Sequence, residues 1–373
     1  MTKRICLAII SIIILVSSLT GCSNKSIKIG YAGGLTGRNS ELGVNGMYGA
    51  TLAVEEINES GGINGRKLEL VSKDDKNDKN TALQVDKDLV KEGCTAIIGH
   101  MTSSMSELTV PYINESKILM ISPTIAVDGL SNKDDYFIRM IPENKQQADS
   151  IAKTMINKNI SKVAILYEED NRAFTESWKN DFEAMYEKLN GRVSYAAQFS
   201  INKQDQFSYF IREIVSSGAQ GILILGSADE VALWCQKIKK EDVKLQIFIP
   251  TWAMTNDLLE QGGQTVEGAY GVNFVDYNSN SEDYLRFKKR YVDKFGSQPT
   301  FSSIFSYEAI KVLADAIKNS PNLKSDTLKS GIIKKSRYKG IQGEIYINAY
   351  GDAERTNYIY HIINGKFTKV VEK

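Results

Sequence analysis

Two histidines, four cysteines and a short run of aspartates are the side chains with the most chemical potential in this 373-residue chain. His100 and His361 have no cysteine or carboxylate at ligand spacing beside them, so a zinc site is not expected. Asp74, Asp75 and Asp78 cluster, but the run lacks the glycine and distal glutamate of a calcium loop. It reads as a solvated turn ahead of a helix. No G-x-S-x-G nucleophile turn and no Walker phosphate loop occurs. The expectation is a protein without catalytic residues, metal or cofactor. What remains are small polar loops. Gly99-His100-Met101-Thr102-Ser103-Ser104 is a strand-to-helix turn whose hydroxyls either cap the helix or, with its free N–H groups, meet a carboxylate. In Glu168 to Phe174, Arg172 is a fork-shaped donor that either receives a carboxylate or pairs with Glu168, Glu169 or Asp170 at the surface. In Pro250-Thr251-Trp252-Ala253-Met254, the indole offers a flat apolar wall or a cation–π face, or else packs in the core.

These loops must be held by regular elements, and the hydrophobic pattern supplies them. Short β-rich runs occur at Ile27–Ala32, Leu68–Val71, Ala96–Ile98, Ile118–Ile121, Val163–Tyr167, Gly221–Leu225 and Ile247–Ile249. Amphipathic stretches intervene at about 43–59, then Thr81–Glu92, Ser104–Asn114, Gln147–Asn157, Thr175–Lys188, Phe207–Ser216 and Glu230–Lys240. Strands alternating with helices predict an α/β protein with parallel sheets covered on both faces. Ligands of such sheets sit outside the carboxyl ends of the strands. The polar loops above fall at those ends, as do Ser122-Pro123-Thr124-Ile125-Ala126 and Gly226-Ser227-Ala228-Asp229. Length suits about two domains, and six prolines with no Pro-rich linker predict a chain that crosses between them rather than two beads on a string. A net charge of +1 without single-sign blocks gives no reason to expect nucleic acid.

The N-terminus carries an address. Lys3 and Arg4 precede an apolar run from Ile5 to Val16, then Leu19-Thr20-Gly21-Cys22. This is the secretory order, and the run is too short for a spanning helix of about 20 residues. Cys22 after Leu-Thr-Gly resembles the bacterial lipoprotein signal, which implies lipidation of Cys22, a signal peptide at 1–21 and a tether at 22–26. An ordinary signal peptide with an incidental cysteine is the alternative. Cys6 leaves with the signal, so Cys94 and Cys235 remain in the folded body and are expected as free, buried thiols.

Further stretches carry a family resemblance. Leu35-Thr36-Gly37, the run E-E-I-N-E-S-G-G-I-N-G-R-K-L-E-L from Glu55, Asp74-Asp75, I-I-G-H from Ile97, M-I-S-P from Met120, F-I-R-M-I-P from Phe137 and V-E-G from Val266 occur in order. Together they resemble the substrate-binding proteins of branched-chain amino-acid type ABC importers, with the type I periplasmic binding fold. The resemblance implies two Rossmann-like lobes with parallel sheets, joined by three hinge crossovers near Pro142, Val275 and Gly343, with a ligand cleft between them. Lobe one would hold 27–142 and 276–343, lobe two 143–275 and 344–373. It implies a non-enzymatic extracytoplasmic receptor that closes on a small molecule and delivers it to a membrane permease and its ATPase, touching the membrane only through the lipid anchor. The same cleft reporting to a membrane receptor or kinase is the alternative.

The family also implies a ligand set. Ser103 matches the serine that holds an α-carboxylate, with Ser104 beside it. Thr124, Ile125 and Ala126 form the second loop, and Ala126 stands where amino-acid binders often carry a threonine. Phe174 takes the place of a closing tyrosine, near Arg172. Ser227 lies on the opposite loop, where Asp229 either caps its helix or replaces an ammonium anchor. Trp252 stands near the position of the glutamate that pairs with the ligand ammonium, and Leu42 where relatives often place a tryptophan. With these departures, the resemblance implies a small amino-acid-like or a hydrophobic or aromatic carboxylate ligand.

Overall fold

The computed structural model describes residues 25–203 and 206–371. The expected signal peptide and the lipidation of Cys22 lie outside the described residues. β1 (Ile27–Gly33), β2 (Leu68–Asp74), β3 (Ala96–Ile98), β4 (Leu119–Ser122) and β5 (Phe137–Arg139) form a sheet in the order β2-β1-β3-β4-β5, every neighbour parallel. β6 (Lys162–Glu168), β7 (Arg192–Phe199), β8 (Gly221–Leu225), β9 (Gln246–Ile249) and β10 (Tyr270–Asn273) build a second parallel sheet. β11 (Arg337–Gly340), β12 (Gly343–Ile347) and β13 (Ala353–Glu354) make a small antiparallel sheet of their own. β14 (Tyr358–Ile363) and β15 (Lys366–Lys369) then join the second sheet antiparallel, beside β10. Central strands of such sheets lie between helical layers and read as continuous apolar runs. Every residue of β3 (Ala-Ile-Ile) and β8 (Gly-Ile-Leu-Ile-Leu) is buried.

Helices cover the sheets. α1 (Ser40–Glu59), α2 (Lys79–Lys91) and α3 (Ser106–Ser116) follow the first three strands. α4 (Asn144–Asn157), α5 (Arg172–Lys188), α6 (Phe207–Ser216), α7 (Ala228–Lys240) and α8 (Asn256–Gly262) accompany the second sheet. α9 (Glu282–Phe295), α10 (Phe301–Lys318) and α11 (Ser325–Lys335) return to the first sheet, where α9 and α10 pack on α1, and α11 on β4. Local signals set the ends. Gly61 and Gly62 both adopt the positive φ that stops α1, and the Asp78 carboxylate accepts the Thr81 N–H at 2.8 Å to cap α2.

The chain passes from the first sheet to the second after β5, back after β10, and over again before β14. The passages are clamped together. Arg355 donates to the Met140 carbonyl at 2.6 Å and to Glu308 at 2.6 Å, while Gln342 exchanges two hydrogen bonds with the backbone of Asp276 at 3.0 and 2.8 Å. The small sheet is tied to β5, where buried Arg139 donates to Asp352 at 2.8 Å and its N–H to the Gly351 carbonyl at 3.0 Å. Cys94 and Cys235 are free and buried, one among the residues of each large sheet, and burial pushes their thiols up to about 11 and about 12. Among the described residues, no helix is long and apolar enough to cross a membrane.

The α1–α10 contact depends on Gly49, because a Cβ there would lie 1.9 Å from the Ser303 carbonyl oxygen. Gly49→Ala is expected to cost about 1–3 kcal/mol through overpacking. Gly129→Ala, where an added Cβ meets nothing, is the control in the same thermal melt and should leave the midpoint nearly unchanged.

Candidate ligand-binding cleft

Loops at the carboxyl ends of the two parallel sheets face each other and close on a small cavity of about 20 Å³. The first lobe contributes Leu42 of α1, Met101 and Ser103 after β3, Thr124 after β4, Ile141 after β5 and Phe301 at the start of α10. The second contributes Gln147 of α4, Asn171 after β6, Phe174 of α5, and Thr251 and Trp252 in the turn after β9. None of these lining residues is ionisable. The Phe174 and Trp252 rings meet edge to face, 5.6 Å apart at 87°, and make an aromatic wall.

The polar groups differ in what they have left to give. The Ser103 hydroxyl oxygen accepts the Ala126 N–H at 3.3 Å, which leaves its O–H as a donor. Thr124 donates its hydroxyl proton to the Met101 carbonyl at 2.5 Å, so it offers the cavity an acceptor only. The Asn171 carbonyl oxygen accepts the Ser104 N–H at 3.0 Å, and the Gln147 carbonyl oxygen accepts the Thr251 N–H at 3.2 Å.

Five of the residues singled out in the sequence come together here: Leu42, Ser103, Thr124, Phe174 and Trp252. Five do not line the cavity. Ser104 bridges the lobes instead, its hydroxyl accepting the Ala173 N–H at 3.2 Å. Ile125 lies in the core of the first lobe. Ala126 spends its backbone on Ser103 and on the Asn144 N–H, which its carbonyl accepts at 2.8 Å. Arg172 is exposed and paired with Glu176 one helical turn away at 2.6 Å, a partner outside the acidic run considered from sequence. Ser227 precedes α7, and its N–H donates to the Glu230 carboxylate at 2.9 Å. Met101, Ile141, Gln147, Asn171, Thr251 and Phe301 were not anticipated. Gln147 had a visible signal, as a polar residue opening a helix just past the Pro142 crossing.

Charge appears at the rim. Arg38, after β1, donates to Asp170 at 2.5 Å and to Glu230 at 2.8 Å, joining the two lobes. Burial pushes the Glu230 carboxyl up, while the Ser227 N–H and the Arg38 guanidinium hold it down. Glu168 behind it rises to about 8 through burial and the nearby Glu230 charge.

The Met101–Ser103 loop is held from beneath by His100. The imidazole is fully buried, with Nδ1 2.6 Å from Asp75 and Nε2 3.0 Å from Asp86. Burial alone would lower its pKa, but the two carboxylates outweigh burial and raise it to about 10. His100 is therefore an imidazolium at neutral pH. One reading of the sequence is corrected here: Asp75 is buried rather than solvated, and it and Asp86 reach His100 from 25 and 14 residues away. Gly99 precedes it with φ of 146°, where a Cβ would lie 2.2 Å from the Ala32 carbonyl oxygen.

Two facing α/β lobes with an enclosed cavity between their strand ends define a two-lobed solute-binding architecture. The chain belongs to the periplasmic binding protein family, whose sequence model matches residues 26–366. Leu/Ile/Val-binding protein homolog 2 of Brucella abortus (strain 2308) is 24% identical over 344 residues, spanning 92% of this chain and 91% of its own. The fold is shared with the branched-chain amino acid transporter substrate binding protein LivJ from Streptococcus pneumoniae, solved in complex with isoleucine. That match has a TM-score of 0.84 at 23% identity over 92% of this chain and 100% of that one. A solute binding protein of an ABC transporter from R. palustris, in complex with benzoate, matches with a TM-score of 0.83 at 17% identity, over 92% and 95% of the chains.

Removing the imidazolium should expose how much the cleft loop depends on it. His100→Gln leaves two buried carboxylates without their cation and is expected to cost roughly 3–5 kcal/mol. His100 has a folded pKa of about 10, above the unfolded value of about 6.5. Its contribution is therefore full below about pH 6.5 and lost as pH rises to about 10. Urea unfolding across that range should show a one-proton decline in the wild type that the variant lacks.

Proposed function

We propose that this protein is the solute receptor of an ABC importer, closing its lobes over a small hydrophobic or aromatic carboxylate and presenting it to a permease driven by an ATPase. The observation that carries this reading is the cavity lining, aromatic and aliphatic with a few hydroxyl and amide groups and no ionisable side chain. A buried α-ammonium needs acceptors or a carboxylate partner. The carbonyl oxygens of Asn171 and Gln147 already accept backbone N–H groups, Ala126 has no hydroxyl to add, and the Thr124 hydroxyl oxygen is an acceptor without a carboxylate beside it. A carboxylate needs donors, and the Ser103 hydroxyl is one. Of the two ligands held by the solved relatives, isoleucine and benzoate, this lining favours the one without an ammonium.

Closure follows from contacts made by both lobes, since a ligand shifts the open–closed equilibrium only through its preference for one state. The Arg38 pairs with Asp170 and Glu230, and the Ser104–Asn171 bond, are the protein's own contribution to the closed state. We place the lobe boundaries at 27–142 with 276–354 and at 143–275 with 355–371. This moves the third crossing beyond Gly343, because β12 and β13 stay hydrogen-bonded to β11 and to Arg139. Lipidation of Cys22 would hold the receptor at the outer face of the membrane, within reach of its permease.

The test is thermal unfolding of the chain from Ser23 onward with isoleucine, benzoate or 4-hydroxybenzoate. A bound ligand at about 100 times its Kd adds about 2.7 kcal/mol. The aromatic acids should raise the midpoint more than isoleucine does, and Trp252→Ala should remove most of that shift. A larger shift with isoleucine would contradict the ligand class.

A further inference from the structure

We infer that Gln147 is the polar contact that the second lobe makes with the solute, donating its amide N–H to a solute oxygen. The inference rests on the cleft being the binding site. Gln147 sits in the first turn of α4, directly after the first crossing, and is fully buried. Its amide is oriented by two groups that can only donate. The Thr251 N–H reaches Oε1 at 3.2 Å, and the Trp178 indole N–H reaches the same oxygen at 3.5 Å. Flipping the amide would set N–H against N–H on that side. The Nε2 group must therefore face away from Thr251 and Trp178. It is buried there without a protein partner, in a residue that lines the cavity. A buried amide donor left unpaired is costly, and a solute oxygen in the cavity removes that cost.

The consequence is a rule for what the cleft accepts. Ser103 offers an O–H from the first lobe and Gln147 an N–H from the second, so the solute must present oxygen acceptors to both. A carboxylate does so with its two oxygens. An amine of the same size does not. Because the two donors come from different lobes, they act together only in the closed state, which makes Gln147 a specificity-determining residue that is also coupled to closure.

Two variants separate donation from packing. Gln147→Met removes both functions of the amide. Gln147→Glu keeps an oxygen for Thr251 and Trp178 but replaces the donor with a carboxyl, which donates one O–H when protonated and none when ionised. The purified full chain is titrated by calorimetry with benzoate, isoleucine and benzylamine, in mildly acidic and in alkaline buffer. Wild type should bind benzoate at both pH values and ignore benzylamine. Gln147→Met should bind benzoate about tenfold or more weakly. Gln147→Glu should bind it in acid and lose it in alkali, a pH dependence the wild type lacks. Equal benzoate binding by all three proteins at both pH values would overturn the role of Gln147 and leave the acid-receptor reading intact. Binding of isoleucine but not benzoate would overturn the ligand class instead, and the same variants titrated with isoleucine would then decide Gln147. If no probe binds the wild type, both fail.

Discussion

A buried imidazolium between two carboxylates is the constraint on which the cleft depends. His100 sits at the end of β3, Asp75 at the end of β2 and Asp86 on α2, and their contacts join all three elements beneath the loop that carries Met101 and Ser103. Such a charge group is expensive to bury, and it holds only when each member keeps its partner. Around it the neighbouring turns are fixed by short local bonds. Asp74 accepts from the Leu35 N–H at 2.7 Å, Asp78 caps α2, and Asn77 donates to the Arg38 carbonyl at 3.2 Å. The Arg38 side chain is then presented to the other lobe. The first lobe thus offers a stiff surface, and the second closes against it.

The cavity separates two kinds of polarity. Ion pairs at the rim, above all Arg38 with Asp170 and Glu230, hold lobe to lobe. Inside, the lining carries no charge; the Asn171 and Gln147 carbonyl oxygens are committed to backbone N–H groups, and the Thr124 hydroxyl has given its proton to Met101. An interior of this kind discriminates by what a ligand leaves unsatisfied. A group that brings acceptors meets waiting donors, whereas a group that brings donors finds the Asn171 and Gln147 carbonyls already accepting backbone N–H groups and the Thr124 hydroxyl oxygen as an acceptor. The edge-to-face pair of Phe174 and Trp252 adds a flat apolar surface suited to a ring.

Much of the scaffold was legible because parallel strands buried on both faces leave a plain apolar signature. Four of the loops read by the strand-end rule contribute Ser103, Thr124, Phe174 and Trp252 to the cavity, and Leu42 of α1 joins them. The failures have distinct physical causes. Asp75 looked solvated because its cation lies 25 residues on. Arg172 was read as a fork donor for a carboxylate or a surface partner of Glu168, Glu169 or Asp170, and it pairs instead with Glu176, one turn ahead. α10 went unread because nearly every residue in it is buried, which erases the amphipathic stripe, and Phe301 was lost with it. Gln147 was read only as a helix start. Its role depends on which side of the amide Thr251 and Trp178 occupy, and that is a property of the fold.

The central claim is that a solute acid is held between the two strand-end surfaces, its oxygens met from both lobes. A crystal structure of the protein grown with benzoate tests this most directly. The account predicts the carboxylate within hydrogen-bonding distance of the Ser103 hydroxyl and the Gln147 amide nitrogen, with the ring against Trp252 and Phe174. Benzoate bound elsewhere, or a closed cleft holding only water, would contradict it.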